Sequence, residues 1–335
     1  MRLLIDGVPG WLGNRFLELL ASHKTEKNYS LRCLAMQGTD VSWMKKIPAL
    51  QDIEIFYGDV TQPSTLDKAF EDVDVFFHLV GLIHPRKIQE LYQVNLQGTL
   101  NVLEAAQRKG VKRFIHVSSN SVAGIRRDPA QLMKESDPPQ PYMHYGKSKW
   151  MAEKTVLEHQ QKGRFETVIL RPCWYYGPNQ PARQSAFFHM IKKGNPIIFG
   201  NGNNLRSMTY LDNLCEAMIL VAESSRAVGQ TYWIADEQPY STKEIYETIA
   251  DLLEVKNYRP RYVPGLTSEV MKAADALVQS LGLYIKEVHV AGEMNKNIAC
   301  SIEKAKRELG YKPTIALREG MRRSIEWCRQ HGASI

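Results

Sequence analysis

A tyrosine and a lysine four residues apart carry the clearest chemical meaning in this 335-residue sequence. Tyr145 and Lys149 fall near the start of a predicted helix over residues 144–159, and positions i and i+4 share one helix face. A free phenol has a pKa of about 10, which is too high for a base at neutral pH. A neighbouring ammonium group favours the phenolate, so the pair can take or give a proton near pH 7.

Two serines strengthen this interpretation. Ser118 and Ser119 directly follow the predicted strand over residues 114–117. The carboxyl ends of parallel strands form the edge of a sheet at which ligands bind. A serine hydroxyl there can hydrogen-bond the same substrate oxygen that exchanges a proton with Tyr145.

Three glycines mark a second site near the N-terminus. Gly7, Gly10 and Gly13 lie between a predicted strand over residues 2–5 and a predicted helix over residues 11–22. A glycine turn lets the backbone approach a pyrophosphate, and the start of the helix supplies free N–H groups and a positive dipole. The spacing is Gly-x-x-Gly-x-x-Gly rather than Gly-x-Gly-x-x-Gly, and its position predicts a dinucleotide site.

The sequence does not decide between NAD and NADP. An acid about 20 residues after the glycines favours NAD and an arginine favours NADP, yet neither stands at the end of the second predicted strand. Gln37 can hydrogen-bond a ribose there, and Arg32 or Lys45 can reach a phosphate. Asp59, after the third strand, either accepts a bond from the adenine amine or caps a helix.

Strands and helices alternate through the first half of the chain. Strands are predicted over residues 2–5, 31–35, 53–57, 73–79, 114–117 and 167–170, and the intervening helices include 11–22, 87–108 and 144–159. This alternation predicts an α/β fold with a Rossmann-type, doubly wound parallel sheet. We expect residues 1–172, joined by about 207–238, to form the dinucleotide-binding domain.

The rest of the chain, residues 173–206 and 239–335, is expected to form a smaller, mostly helical substrate-binding domain. Ser241-Thr-Lys-Glu244 matches a capping box, and apolar residues repeat at helical spacing over 270–281. Two interpretations of the 270–281 helix stay open: packing in the core, or lining a site for an apolar substrate.

Composition narrows the class of protein. No apolar run approaches the roughly 20 residues of a membrane helix, and five scattered cysteines indicate reduced thiols rather than disulfides. We expect a cytoplasmic protein with no integral membrane segment and no metal site. The net charge of +7 is expected to reflect a solvated surface rather than a nucleic-acid partner. Some basic residues lie in scattered pairs, at Lys112-Arg113, Arg126-Arg127, Lys192-Lys193 and Arg322-Arg323.

Taken in order, the motifs closely resemble the extended short-chain dehydrogenase/reductases, also called the NAD-dependent epimerase/dehydratase family, over nearly the whole chain. The motifs are Gly7-x-x-Gly10-x-x-Gly13, Gly58-Asp59-Val60, His78-Leu-Val-Gly81, Val94-Asn95-Leu-Gln-Gly98-Thr99, Ser118-Ser119, Tyr145-x-x-x-Lys149, Leu170-Arg-Pro172 with Tyr176-Gly-Pro178, and Glu303 to Pro313.

The resemblance implies roles for single residues. Tyr145 is implied to be the general acid/base, with Lys149 lowering its pKa and holding the nicotinamide ribose. Ser119 matches the hydroxyl that binds the substrate oxygen better than Ser118 does, and Asn95 matches a structural asparagine beside the site. The residues implied to line an NAD or NADP cofactor are Gly7, Gly10, Trp11, Leu12, Gly13, Gln37, Asp59, Val60, Leu79, Val80, Asn95, Tyr145, Lys149 and Pro172.

Two branches of the family compete. Net hydride transfer at a secondary alcohol or ketone, as in the 3β-hydroxysteroid dehydrogenase branch, is favoured because Trp174 stands where sugar-nucleotide enzymes often have an asparagine. Arg206 keeps one arginine of the pyrophosphate clamp of the sugar-nucleotide epimerases and dehydratases, whereas the second is absent and Lys296 is a poor substitute. The substrate side is expected to include Ser119, Asn120, Trp174 and Arg206.

The resemblance also implies a homodimer. Members of the family often pair through a four-helix bundle, to which the predicted helices 87–108 and 144–159 would contribute here.

Overall fold

A parallel sheet organises most of the chain. The computed structural model describes residues 1–125, 128, 131–161, 163–333 and 335, with the backbone alone for 23–27, so the Arg126-Arg127 pair lies outside the described residues. The strands are β1 (Arg2–Val8), β2 (Ser30–Ala35), β3 (Glu54–Tyr57), β4 (Val75–His78), β5 (Arg113–Val117), β6 (Glu166–Pro172), β7 (Trp174–Tyr176), β8 (Ile197–Phe199), β9 (Leu205–Arg206), β10 (Met208–Tyr210), β11 (Thr231–Ile234), β12 (Tyr240–Ser241) and β13 (Arg261–Val263).

Within the described residues the main sheet has seven strands in the order β3-β2-β1-β4-β5-β6-β11. Every pairing in it is parallel. β2 and β3 are added on one side of β1, and β4 then pairs with the other side of β1. This reversal creates a crevice at the carboxyl ends of β1 and β4, where doubly wound sheets bind ligands.

Helices cover both faces of the sheet. They are α1 (Trp11–Lys27), α2 (Ile88–Leu91), α3 (Thr99–Arg108), α4 (Met143–Glu158), α5 (Ala182–Lys192), α6 (Leu211–Glu223), α7 (Thr242–Leu252), α8 (Leu266–Ser280), α9 (Lys286–Glu293), α10 (Glu303–Leu309) and α11 (Leu317–Gln330). Alternate residues of each strand enter different cores: Leu3 and Ile5 pack with α1 and α6, whereas Leu4 packs with α3 and α4. The predicted α/β, Rossmann-type class is confirmed.

The second half of the chain returns to the sheet once. β11 pairs with β6, and α6 lies beside α1, where Arg15 binds Asp212 through two hydrogen bonds of 2.5 and 2.9 Å. β10, α6 and β11 all lie within 207–238, the segment that is expected to join the dinucleotide-binding domain. The division of the chain into two domains near residue 172 stays a prediction.

A third core lies in the C-terminal part, between α5, α7 and α11. Tyr176 and Phe188 are fully buried in this core, so their side chains are not available to a substrate. α8 and α9 form a helical hairpin that packs on α4 near the start of that helix.

The predicted helix over residues 87–108 is interrupted. α2 ends at Leu91, a π-helical segment runs over Tyr92–Gly98, and α3 continues from Thr99. A hydroxyl takes part in the irregularity, because Oγ1 of Thr99 donates to the Asn95 carbonyl at 2.7 Å. Side-chain groups that hydrogen-bond backbone in this way compete with the regular helical ladder.

Candidate active site

The glycine turn leaves room only for backbone. Gly7 has φ +72°, and the Gly10 N–H donates to the Gly7 carbonyl at 2.8 Å. A Cβ at Gly10 or Gly13 would lie 2.4 or 2.5 Å from that same carbonyl oxygen. The start of α1 is therefore open to a close approach of phosphate oxygens, so the turn fits a dinucleotide.

The two residues after Gly10 have different surroundings. Leu12 is buried in the core beneath the sheet, so its side chain is not available to a cofactor. Nε1 of Trp11 donates to the Pro178 carbonyl at 2.6 Å, and its ring meets Tyr175 edge to face at 6.2 Å between centroids. Trp11 thus ties the glycine turn to the loop after β7.

A buried carboxylate fixes the crevice between β1 and β4. Asp6 accepts hydrogen bonds from the Leu79 and Val80 N–H groups at 2.5 and 3.0 Å, and it lies 2.6 Å from Nδ1 of His78. The far nitrogen of His78 lies 2.9 Å from Oγ1 of Thr99. These bonds hold Leu79 and Val80 beside Gly7, where a cofactor is expected.

The residues expected near the adenosine end are more scattered. Gln37 is exposed in the turn after β2, whereas Arg32 is buried and paired with Glu54, so Arg32 is not free to bind a phosphate. Asp59 accepts bonds from the N–H and hydroxyl of Thr61, both at 2.8 Å, but it does not cap a helix, because the next helical turn begins at Pro63 with Gln62 before it. Val60 is buried.

Asn95 acts from within the π-helical segment. Its side-chain oxygen accepts from the Leu82 N–H at 2.8 Å, and its amide donates to the Leu82 carbonyl at 3.0 Å. The amide also donates to Oγ of Ser148 at 3.0 Å, one residue before Lys149. Asn95 therefore fastens the loop after β4 to α4, as expected of a structural asparagine, and its contact with the cofactor stays a prediction.

Ser119, Tyr145 and Lys149 come together at the carboxyl end of β5. The Ser119 hydroxyl lies close enough to Tyr145 to lower the pKa of its phenol, and it accepts a hydrogen bond from the Ser121 N–H at 3.2 Å. Lys149 is buried, and its Nζ donates to the Val117 carbonyl at 2.9 Å. Pro172 ends the neighbouring strand β6 and pairs with Ile234.

The electrostatics of Tyr145 favour the protonated phenol. Burial raises the pKa of Tyr145, and nearby Glu293 raises it further, whereas Ser119 and Arg183 lower it. Burial also lowers the pKa of Lys149 to about 8, against opposing contributions from Glu153 and Asp6. The suggestion that Lys149 lowers the pKa of Tyr145 stays a prediction.

Two of the predicted substrate residues, Trp174 and Arg206, lie together. Trp174 is half-buried, meets Phe187 at 5.4 Å between ring centroids with the rings tilted by 50°, and lies under the Arg206 guanidinium at 5.9 Å. Arg206 donates to the Glu293 carbonyl, while its buried Nε has no hydrogen-bond partner among the described residues. Asn120 accepts a hydrogen bond from the Ser119 hydroxyl at 3.3 Å.

Sequence reasoning missed two charged residues of this site. Glu293, at the end of α9, and Arg183, in the first turn of α5, both act on the pKa of Tyr145. Burial raises the pKa of Glu293, which favours its neutral form. Neither residue belongs to a motif, because the chain folds them over the site from segments 35 or more residues beyond Tyr145.

The α8–α9 hairpin closes the site with polar groups. The Gln279 side-chain oxygen accepts from the His144 N–H at 3.2 Å, directly before Tyr145. Asp275 lies 2.8 Å from Nδ1 of His289, and Tyr284 lies 2.8 Å from Nδ1 of His84 in the loop after β4.

Two absences apply to the described part of the chain. It contains no group of three or more His, Cys, Asp or Glu side chains placed to hold a metal ion. It also contains no helix of the length and apolar character required to cross a bilayer. The five cysteines are free and buried.

A glycine turn at the crevice of a parallel sheet, with a serine, tyrosine and lysine beside it, defines an enzyme that works with a dinucleotide. The chain belongs to the NAD dependent epimerase/dehydratase family, whose model matches residues 3–235. The resemblance inferred from the motifs is confirmed, and the cofactor is NAD or NADP.

Relatives within this family differ in their reactions. The chain is 38% identical to the uncharacterized protein y4nL of Sinorhizobium fredii, over 99% of this chain and 96% of that protein. It is 28% identical to the 4-hydroxy-2-methyl-3-oxo-4-farnesyl-3,4-dihydroquinoline-1-oxide ketoreductase of Stigmatella aurantiaca, over 96% of this chain and 95% of the relative. The fold matches that of DesIV, a dTDP-glucose 4,6-dehydratase from Streptomyces venezuelae, with a TM-score of 0.79, 23% identity and coverage of 98% and 97%.

Proposed function

We propose that this enzyme is an NAD(P)-dependent oxidoreductase that transfers a hydride at the carbon of a secondary alcohol or ketone, with Tyr145 as the acid/base. The observation that carries the proposal is the position of Tyr145 beside Ser119 and one helical turn from the buried Lys149, with a phenol whose pKa burial raises. A phenol that keeps its proton at neutral pH suits a general acid, which reduction of a ketone requires.

The chain's own groups handle the oxygen of the substrate. In the reducing direction Tyr145 donates its proton to that oxygen while Ser119 donates a hydrogen bond to it. Lys149, one turn further along α4, keeps a positive charge beside the developing alkoxide, and the Val117 carbonyl fixes its position. When bound, the dinucleotide supplies the hydride in this direction and accepts it in reverse.

The lining of the substrate side supports an apolar ketone. Trp174 and Phe187 are adjacent aromatic rings, and Lys296, which stands near the position of the missing clamp arginine, is paired with Glu269. The ketoreductase relative acts on a farnesyl-bearing compound, and we infer a substrate of similarly apolar character.

A sugar-nucleotide epimerase or dehydratase is the second candidate. Arg206 favours it, because a buried guanidinium with a free Nε donor suits a phosphate oxygen. The family name and the fold shared with DesIV also support it. This reaction would take a hydride from the sugar and return it, with no net consumption of cofactor.

A turnover assay separates the two candidates. The purified enzyme is incubated with NADH or NADPH and a panel of apolar ketones, and separately with UDP- and dTDP-sugars. We expect one NAD(P)H oxidised for each ketone reduced. Conversion of a sugar nucleotide without any net change in NAD(P)H would overturn the proposal, and the preferred nicotinamide would settle the choice of cofactor.

We further infer that the enzyme works in the cytoplasm as a homodimer. Five reduced cysteines support a reducing compartment. Met151 and Leu157 are exposed on α4, one of the helices expected to pair with its copy. Light scattering on the purified chain tests the second point: a mass near twice 38.3 kDa is expected, and a monomer would contradict it.

A further inference from the structure

Helix α8 is amphipathic with its polar face turned inward. Its buried side chains are Ser268, Asp275 and Gln279, whereas its solvent face is apolar. The exposed fractions are 71% for Leu266, 58% for Val270, 66% for Leu277 and, just past the end of the helix, 70% for Leu281. At 3.6 residues per turn these four side chains fall within an arc of about 60°. A surface helix of a globular protein normally has the reverse arrangement.

The inward polar face has specific partners that hold the helix in this orientation. The Ser268 hydroxyl donates to the Gly292 carbonyl at 2.9 Å, and the Gln279 amide donates to both oxygens of Asp275 at 2.9 Å. Asp275 in turn binds His289 of α9. Rotating α8 to bury its leucines would break these bonds, so the exposed stripe is a stable feature of the fold.

The apolar stripe continues beyond α8 into one patch. Leu283 and Ile285 in the turn, and Val290 on α9, are also exposed. The turn is fastened to the loop after β4, where the Ile88 N–H donates to the Gly282 carbonyl at 3.2 Å, and that loop adds exposed Ile83. We name this patch the apolar face; it consists of Ile83, Leu266, Val270, Leu277, Leu281, Leu283, Ile285 and Val290.

Basic residues border the apolar face at the hairpin turn. Arg86 and Lys87 are exposed on the loop after β4, and Lys286 begins α9. Of the four acids in the hairpin, Asp275 is buried, Glu293 lies near Tyr145, Glu269 is exposed but paired with Lys296, and Glu287 is exposed. A second copy of a chain with a net charge of +7 would oppose this basic rim with another, whereas an anionic lipid surface complements it.

We propose that the apolar face is a docking surface for an anionic phospholipid membrane. The hairpin would lie in the plane of the interface, with its leucines among the acyl chains and the basic rim at the headgroups, as monotopic amphipathic helices do. Its opposite face reaches the His144 N–H beside Tyr145, so docking places the site directly behind the lipid surface. The proposal concerns binding and does not rest on the reaction proposed above.

Vesicle sedimentation tests the proposal without measuring turnover. The full chain is spun with vesicles of phosphatidylcholine alone and of phosphatidylcholine with phosphatidylglycerol. We expect binding to the anionic vesicles, weaker binding to the neutral ones, and weakening by salt. Leu277→Glu combined with Leu281→Glu should lower the partition coefficient by at least about tenfold.

The matched control is Ile197→Glu, which places the same charge on a 40% exposed residue of β8 outside the apolar face. It should bind vesicles as the wild type does. Circular dichroism and melting temperature verify folding, and Leu277→Ser with Leu281→Ser replaces the glutamates if they unfold the hairpin. A wild type that stays in the supernatant overturns the proposal, as does an unaffected double variant. So does light scattering in which the double variant turns a wild-type dimer into monomers, because a second copy would then cover this face.

Discussion

At the scale of single residues, the Tyr145 hydroxyl is the group on which turnover depends. Tyr145→Phe removes the proton that the substrate oxygen receives, and loss of a general acid lowers turnover about 10²- to 10⁴-fold. The dinucleotide site is unchanged, so the Kd for NAD(P)H, measured by fluorescence, should stay near the wild-type value. Near-native turnover by this variant would exclude the mechanism.

Tyr142→Phe provides the matched control for that variant. Tyr142 lies three residues earlier, is buried, and its hydroxyl has no hydrogen-bond partner among the described residues. Removing this hydroxyl should leave turnover within about twofold of the wild type, because no hydrogen bond is lost.

Replacing Lys149 should change activity and stability in opposite directions. Burial lowers its pKa to about 8. At pH 7 the folded state therefore keeps a buried, poorly solvated ammonium group, whereas water solvates this group in the unfolded state. Lys149→Met should abolish turnover yet raise the free energy of unfolding at pH 7 by about 2 kcal/mol, after the lost bond to the Val117 carbonyl is deducted. Urea titrations at pH 7 measure this difference, and a less stable variant would contradict it.

The pH profile of the wild type follows from the same group. Catalysis needs the ammonium form of Lys149, so turnover should fall as pH rises through about 8. The contribution of Lys149 to the free energy of unfolding has the opposite pH dependence. Between about pH 8 and its ordinary pKa of 10.5, the unfolded state binds the extra proton, so this contribution rises with pH.

At the scale of elements, the first strand–helix junction depends on the missing side chain of Gly13. A Cβ there would lie 2.5 Å from the Gly7 carbonyl oxygen, so Gly13→Ala must displace the turn. We expect NAD(P)H affinity to fall at least about tenfold and the melting temperature to drop. Calorimetric titration and thermal unfolding measure the two effects.

Gly110→Ala is the control that distinguishes the effect of backbone strain on stability from the effect of a changed dinucleotide site. Gly110 ends α3 with φ +75° and has open space around it. Alanine there should lower stability by about 1 kcal/mol through its conformation while the affinity for NAD(P)H stays unchanged. Equal loss of affinity in both variants would mean that the turn has no special role.

Asp236 joins β7, β10 and α6 and makes their packing sensitive to pH. It accepts from the Tyr176 hydroxyl at 2.5 Å and from the Tyr210 N–H at 3.0 Å, and burial raises its pKa to about 7. Its stabilising contribution is complete below about pH 4 and is lost as pH rises through 7. Relative to Asp236→Asn, the wild type should lose about 2–4 kcal/mol of stability between pH 4 and 8. Parallel pH dependences in denaturant titrations of the two proteins would contradict this.

At the scale of the whole molecule, the sequence predicted those features that follow from the order of strands and helices along the chain. Parallel strands place their carboxyl ends at one edge, so Ser119 and Tyr145 could be assigned to one site from their positions alone. Periodicity located the helix over 270–281, but the core-packing interpretation is wrong for Val270, Leu277 and Leu281. A periodic pattern reports that a helix has two faces, and partners elsewhere in the chain decide which face turns inward.

Other features of the site could be found only in the three-dimensional structure, for similar reasons. Arg183 and Glu293 reach Tyr145 from distant segments that carry no motif. The π-helical segment contains Asn95, whose contact with the loop after β4 joins residues that sequence spacing does not bring together. Tertiary contacts of this kind override local propensity, so local patterns alone could not reveal them.

Trp11 is placed to report dinucleotide binding through its intrinsic fluorescence. It directly follows Gly10 of the glycine turn, and its indole donates to the Pro178 carbonyl and meets the Tyr175 ring edge to face. A dinucleotide bound at the turn would therefore lie close to this indole. We expect indole emission, recorded in a stopped-flow instrument, to change when the nucleotide is added to the protein alone.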